Sequence, residues 1–111
     1  MDASREVRGL LVDSPGSRGV YTGPVRLVES VQDLENVRPG EVIVCPSTNL
    51  VTGVLSIIGA LVIESGGVLS NPAILARELK IPAVFAVSCA TSVLVDGQVV
   101  TVDASAGVVK Y

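Results

Sequence analysis

Three apolar runs without alternation stand out along the chain: Val42-Ile43-Val44-Cys45, entered from Glu41 and closed by Pro46; Ala60-Leu61-Val62-Ile63; and the stretch from Pro82 to Val87. Runs of this length, rich in β-branched residues, read as strands buried on both faces, as in a parallel sheet. A looser alternation marks Arg18 to Glu29, where Val20, Thr22, Val25, Leu27 and Val28 are interrupted by Gly23-Pro24. Proline cannot donate to a ladder, so a bulge or an edge position between two strand segments is expected there. Gly9-Leu10-Leu11-Val12 reads as a short strand running into a turn at Asp13-Ser14-Pro15-Gly16-Ser17, and residues 1–8 as a loose leader.

Helical spacing recurs between these runs. Ser30 can cap a short helix reaching Val37, with Asp33 in its first turn and Val31 and Leu34 at i,i+3. Ser47 or Thr48 can cap a helix over Asn49–Ile58, weakened inside by Thr52 and Gly53 and ended by Gly59. A third helix follows Asn71 as N-cap, with Pro72 at the first helical position, where a missing N–H costs nothing. Its Leu75, Ala76 and Leu79 share a face, Arg77, Glu78 and Lys80 point elsewhere, and Lys80 and Pro82 close it. Near the C-terminus, Asp96-Gly97 between Val93-Leu94-Val95 and Gln98-Val99-Val100-Thr101-Val102 is a hairpin signal, and Asp103 to Gly107 forms a turn before Val108-Val109. The pattern predicts an α/β domain over residues 1–111: a central sheet, two to three short helices and a C-terminal hairpin.

Composition narrows the class. With 111 residues, 49% of them hydrophobic and 17% charged, the chain can bury a core as one domain. The apolar excess fits either a well-filled core or a face covered by another chain. At net charge −3, eight scattered basic residues and 3% aromatics give no concentrated positive field, so nucleic acid is not an expected partner. The polar start Met1 to Glu6 has no signal-peptide core, and the apolar run from Gly53 to Ile63 is too short to span a bilayer; a cytoplasmic protein without membrane contact is expected. Cys45 and Cys89 lack CxxC spacing and read as buried, reduced thiols.

The chain contains no histidine. That removes Ser-His-Asp and Cys-His nucleophilic sites, the usual zinc sets and imidazole acid/base catalysis, and no metal or cofactor is called for. Gly66-Gly67 ahead of a helix can form a phosphate- or ligand-binding loop with Ser70, Asn71 and Arg77, because helix N-termini offer unpaired N–H groups and the positive end of a dipole. The same glycines serve a tight strand-to-helix turn, and the stretch is neither a Walker A sequence nor a GxGxxG fingerprint. Asn71 reads as an exposed polar handle or as a plain cap. Glu64 and Glu78 are carboxylates near that loop, and Cys45 at a strand end is a candidate nucleophile, although the sequence shows no base or cationic cluster beside it to lower its pKa.

The stretch Gly66-Gly67-x-x-Ser70-Asn71-x-Ala73-Ile74-x-Ala76-Arg77-Glu78-Leu79-x-Ile81-Pro82-Ala83-Val84 resembles the signature of the swivelling phosphohistidine domain of phosphoenolpyruvate-utilising enzymes. That group includes pyruvate phosphate dikinase, phosphoenolpyruvate synthase, Enzyme I of the phosphotransferase system and rifampicin phosphotransferase. The likeness extends to Ser14-Pro15-Gly16, Gly19, Gly40-Glu41-Val42-Ile43-Val44, Thr48, and Asp96-Gly97-Gln98-x-Val100-Thr101-Val102-Asp103-x-x-x-Gly107-x-Val109. It implies a compact swivelling β/β/α domain that moves between a nucleotide-binding partner and a phosphoenolpyruvate- or acceptor-binding partner. It also implies a histidine carrier at the position that here is Asn71. An amide nitrogen, its lone pair delocalised into the carbonyl, cannot replace an imidazole as nucleophile. Ile63, Pro72 and Ala86 depart from the pattern as well, so natural divergence accounts for the site better than one engineered substitution.

Three functional expectations arise. The chain is a stand-alone mobile-domain protein that carries no phosphate and acts as a docking or regulatory partner of other chains, or of further copies of itself. Alternatively it is an enzyme or small-molecule-binding protein using a cleft around Asn71, with Ser70, Glu64 or Cys45. In the third reading a partner chain supplies the histidine.

Overall fold

The computed structural model describes residues 6–8, 10–11, 19–46, 54–64, 71–85, 87 and 90–111, with the backbone alone for 6–8, 10–11, 71–73 and 77. The described strands are β1 (Glu6–Arg8), β2 (Leu10–Leu11), β3 (Val20–Leu27), β4 (Val42–Cys45), β5 (Ala60–Ile63), β6 (Ala83–Phe85), β7 (Val99–Asp103) and β8 (Val108–Lys110). A 3-10 helix spans Val31–Asn36, and two α-helices, α1 (Asn71–Leu79) and α2 (Ala90–Val93), complete the described elements. The strand order is β1-β8-β7-β3-β4-β5-β6-β2.

Two segments hold this sheet together by changing neighbours along their length. The first half of β3 lies antiparallel to β7, from Val20 opposite Asp103 to Pro24 opposite Val99. Its second half lies parallel to β4, from Val25 opposite Val42 to Leu27 opposite Val44. The Val25 N–H donates to the Gln98 carbonyl on the β7 side at 2.8 Å. Strand alternation therefore turns the Pro24 nitrogen toward the β4 side, one residue before that ladder begins, where no donor is needed. The break expected at Gly23-Pro24 is instead the point at which one continuous strand passes from one ladder to the other.

The second such segment is N-terminal. β1 and β2 are separated in sequence by Gly9 alone, yet they occupy opposite ends of the strand order. β1 runs antiparallel to β8, with Glu6 opposite Lys110 and Arg8 opposite Val108, and β2 runs antiparallel to β6, with Leu10 opposite Phe85. Since β8 is antiparallel to β7 and β6 is parallel to β5, β1 and β2 point the same way, and together they close the sheet on itself. Glu6–Arg8, within the stretch read as a loose leader, is thus part of the fold: an edge of β8 with unpaired backbone groups is satisfied by it.

Closure creates the two cores. Inward residues Val42, Val44, Ala60, Val62 and Val84 meet Val100, Val102 and Val109 from the antiparallel side, with Ala90 and Leu94 of the α2 region packed among them. The alternate residues Ile43, Cys45, Leu61, Ile63 and Phe85 point outward and are covered by Ala76 of α1 and by Leu34 and Val37 around the 3-10 helix. Both faces of β4, β5 and β6 are buried, which is why their sequences show no alternation.

Several local expectations shift. Before the 3-10 helix, the Asp33 carboxylate accepts from the N–H groups of Glu29 and Ser30 at 2.9 and 3.2 Å, so Ser30 does precede the helix start. Residues 49–53 of the helix expected over Asn49–Ile58 lie outside the described residues; from Val54 onward the chain makes a tight turn, with the Ile57 N–H on the Val54 carbonyl at 3.1 Å. Val93 belongs to α2, so Asp96-Gly97 joins a helix to β7, and the C-terminal hairpin is β7–β8. Long-range partners explain the difference: Asp96 Oδ1 accepts from the Leu27 N–H at 2.7 Å and the Gly97 N–H donates to the Val25 carbonyl at 2.8 Å, so this turn is fastened to β3.

Helix α1 begins at Asn71 itself, one residue earlier than expected. Ala76 and Leu75 face the core, but Leu79 is 47% exposed, because the chain reverses at Lys80 and Ile81 takes the core position. Lys80 has φ 60°, and the Ile81 N–H donates to the Ala76 carbonyl at 2.9 Å, the six-to-one bond of a Schellman ending. A side chain in that left-handed region is strained where glycine is not. Lys80→Gly is expected to stabilise the fold by roughly 0.5–1 kcal/mol, read as a raised urea midpoint at constant m-value.

Candidate functional site

β3, β4, β5 and β6 run parallel, so the segments that follow them all leave from one end of the sheet. In α/β sheets, open or closed into a barrel, the carboxyl end of the parallel strands is where ligands bind. The carboxyl ends are drawn together past the last strand residues: the Glu64 N–H donates to the Cys45 carbonyl at 3.0 Å and the Val87 N–H to the Ile63 carbonyl at 3.1 Å. Glu64 thus stands directly after β5, and Asn71 opens α1 at the other end of residues 65–70.

The candidate residues fall into three groups. Gly66, Gly67 and Ser70 lie outside the described residues, as does Cys89. Asn71 and Arg77 are placed by their backbone, at the start and in the body of α1. Glu64, Glu78 and Cys45 are placed fully. Glu78 is exposed on α1. Cys45 is completely buried among Ile43, Ile63, Ala76 and Phe85, which removes its thiol from any substrate in solvent.

Glu64 has a defined structural task. Its Oε2 accepts from the Thr91 N–H at 3.0 Å and from the Thr91 hydroxyl at 2.9 Å. The N–H belongs to the first turn of α2, where a helix has donors without internal partners and the positive end of its dipole, so the carboxylate caps α2 from the end of β5. Nothing in the sequence singles out Thr91; 27 residues separate it from Glu64, and no spacing rule links them. Glu64→Ala should cost about 1 kcal/mol, and Glu64→Gln, which keeps an acceptor, about half as much, both read by thermal melts.

A family model described as "PEP-utilising enzyme, mobile domain" matches residues 37–107, from the turn before β4 to the turn between β7 and β8. The chain belongs to that family. Among the relatives of the mobile domain is the protein named uncharacterized phosphotransferase YvkC of Bacillus subtilis (strain 168), 41% identical over 92 residues, which are 82% of this chain and 11% of the relative. Phosphoenolpyruvate synthase of Pseudomonas aeruginosa (strain UCBPP-PA14) is also 41% identical, over 89 residues, covering 79% of this chain and 11% of that one. The matched region therefore spans about a tenth of the length of these two relatives.

Solved structures agree on the architecture. The solution structure of Enzyme I (nEIt) superposes with TM-score 0.59 and 30% identity, covering 68% of this chain and 32% of that one. Aconitase X of Thermococcus kodakaraensis, in its holo form, superposes with TM-score 0.67 over 95% of this chain and 96% of that chain at 19% identity, a likeness of fold alone. Among the described residues, no helix is long and apolar enough to cross a membrane, and no three His, Cys, Asp or Glu residues cluster as metal ligands.

Proposed function

We propose that residues 1–111 form one mobile domain that does not itself carry a phosphoryl group and that acts by docking, in the cytoplasm, onto a partner chain or domain that binds nucleotide or phosphoenolpyruvate. One observation carries this reading: a member of the mobile-domain family has no histidine anywhere in its sequence, and Asn71 stands where the family resemblance puts the carrier. An amide nitrogen is neither basic nor nucleophilic enough to form a phosphoramidate. Docking is supported by the size of the relatives, in which the matched region is accompanied by much more chain.

The reading in which the site has been rebuilt for other chemistry would rest on Ser70, Asn71 and Glu64 as the polar set. The engagement of Glu64 Oε2 by Thr91 favours a capping role for that carboxylate over a catalytic one.

Intact mass measurement at neutral pH, after incubation with ATP or phosphoenolpyruvate and the purified companion enzyme, is expected to show no phosphoryl adduct on this chain. Titration calorimetry with the same companion is expected to show saturable binding. An adduct that disappears on acidification overturns the loss of carrier function, and absence of heat at concentrations well above those in the cell overturns docking. In Asn71→His, adduct formation would show that the remainder of the loop is still competent.

A further inference from the structure

We propose that Asp96-Gly97 is a site of isoaspartate formation held in check by its attachment to β3, so that the turn is converted when it detaches and cannot then reattach. The dipeptide is exposed, and a Cβ built at Gly97, whose φ is 82°, meets no atom within 4 Å. Glycine leaves its amide nitrogen unshielded and its backbone free to rotate, as attack on the preceding side chain requires. In that attack the Gly97 nitrogen bonds to Asp96 Cγ, the Cγ–Oδ bond breaks, and the amide proton and the carboxyl hydroxyl leave together as water. Water then reopens the cyclic imide. Addition at Cγ restores aspartate; addition at the main-chain carbonyl gives isoaspartate, whose backbone runs through Cβ and Cγ and whose free carboxylate sits on Cα. No oxidant, reductant or second substrate is needed.

Both reacting groups are engaged in the folded chain. Asp96 Oδ1 accepts from the Leu27 N–H at 2.7 Å, the Gly97 N–H donates to the Val25 carbonyl at 2.8 Å, and the Val25 N–H donates to the Gln98 carbonyl at 2.8 Å. Residues two apart present their backbone groups on the same side of a strand, so the carboxylate continues the β3–β7 ladder where a backbone carbonyl would otherwise stand. The bond at Gly97 keeps the amide proton on its nitrogen, and the bond at Oδ1 fixes the carboxyl against Leu27. Ring closure must release both. Isoaspartate lengthens the backbone between the two groups and moves the carboxylate to Cα, so the pair of bonds cannot return in register.

The test uses the full chain, aged at neutral pH and one temperature, folded in buffer and unfolded in guanidinium chloride. Isoaspartate at position 96 is read by peptide mapping and by a carboxyl methyltransferase that labels it. The Asp96→Asn chain, from which ammonia leaves instead of water, gives a faster clock for the same ring closure. In both chains conversion should be at least about tenfold slower when folded, and slowed by no less than the factor by which folding slows hydrogen exchange at the Gly97 N–H. Chains converted while unfolded and then returned to buffer should lack exchange protection at Leu27 and Gly97. A smaller slowing than the exchange factor means that the attached turn reacts, and overturns the proposal; so does protection regained at Gly97 after conversion.

Discussion

Gly59→Ala is expected to destabilise the fold by about 2–3 kcal/mol, lowering the melting temperature by roughly 10 °C. The Tyr21 ring lies across Gly59: a Cβ built there falls inside van der Waals contact of Cζ and Cε2 and 2.6 Å from Oη. The ring cannot simply slide, because its hydroxyl donates to the Gly40 carbonyl and its Cε2 lies 2.8 Å from a Cβ built at Gly23, so glycines flank it on further sides. Expulsion of the ring into solvent sets an upper bound on the cost: the variant cannot lose more than the hydrogen bond and packing of Tyr21 together. The corresponding measurement is a double-mutant cycle. In a Tyr21→Ala background, Gly59→Ala should cost almost nothing, giving a coupling of about 2–3 kcal/mol. Equal costs in the two backgrounds would show that the ring is not what fills the space.

This corner lies at the entrance of β4 and β5, where the Gly40 N–H donates to the Ile57 carbonyl and the Gly59 N–H to the Glu41 carbonyl, both at 2.9 Å. It is at the opposite end of the parallel strands from Glu64. Variants here therefore separate stability from function: binding of a partner at the carboxyl end should be unchanged at temperatures where the variant remains folded.

How much of this could be read beforehand depends on the range of the interactions. β4, β5 and β6 announce themselves because each is buried on both faces, and burial writes itself as an unbroken apolar run. The end of α1 is legible too, from Lys80 and Pro82, although the exposure of Leu79 is not, since it results from the reversal at Lys80 and the entry of Ile81 into the core. The expectations that failed were settled by partners far away in sequence. Asp96-Gly97 carries a sound hairpin signal, but its bonds go to Leu27 and Val25 of β3, and the preceding residues are drawn into α2 under the Glu64 carboxylate. Closure by β1 and β2 rests on ladders too short to leave a periodic trace. At the candidate site, the motif around Asn71 points to the family that the comparison then shows, whereas the Thr91–Glu64 pair is geometric and has no sequence signature.

The second large effect is expected at Arg26. Glu41 is only 6% exposed, and its carboxylate accepts from Arg26 Nε at 3.2 and 3.3 Å, from Arg26 Nη2 at 2.9 Å and from the Arg38 N–H at 2.6 Å. Two influences oppose each other on that carboxyl. Burial, the largest single one, pushes its pKa up, while the hydrogen bonds from Arg26 and Arg38 and their charges pull it down, and the sum lies below the ordinary value. The Arg26 pKa is raised, first by its bond to Glu41, in spite of partial burial. Removal of Arg26 leaves a desolvated charge with one backbone donor, so Arg26→Ala should cost about 2–3 kcal/mol at neutral pH, below the range for a fully buried pair because Arg26 is itself a quarter exposed.

The sign of the pH dependence gives the sharper test. In the native chain the folded carboxyl is more acidic than the unfolded one, so its contribution is complete above the unfolded pKa of about 4.3 and is lost as pH falls through the lower folded value. Without Arg26 the largest downward influence is gone and burial is opposed by Arg38 alone, so the folded carboxyl is less acidic than in the native chain and the variant loses less stability as pH falls through the carboxylate range. The gap between native and Arg26→Ala chains, measured by urea unfolding at pH 7, 5 and 4, should therefore narrow on acidification. A gap independent of pH would mean that the guanidinium acts through packing alone. Arg26→Met combined with Glu41→Leu should recover much of the loss, because an apolar pair of similar volume has no charge to desolvate.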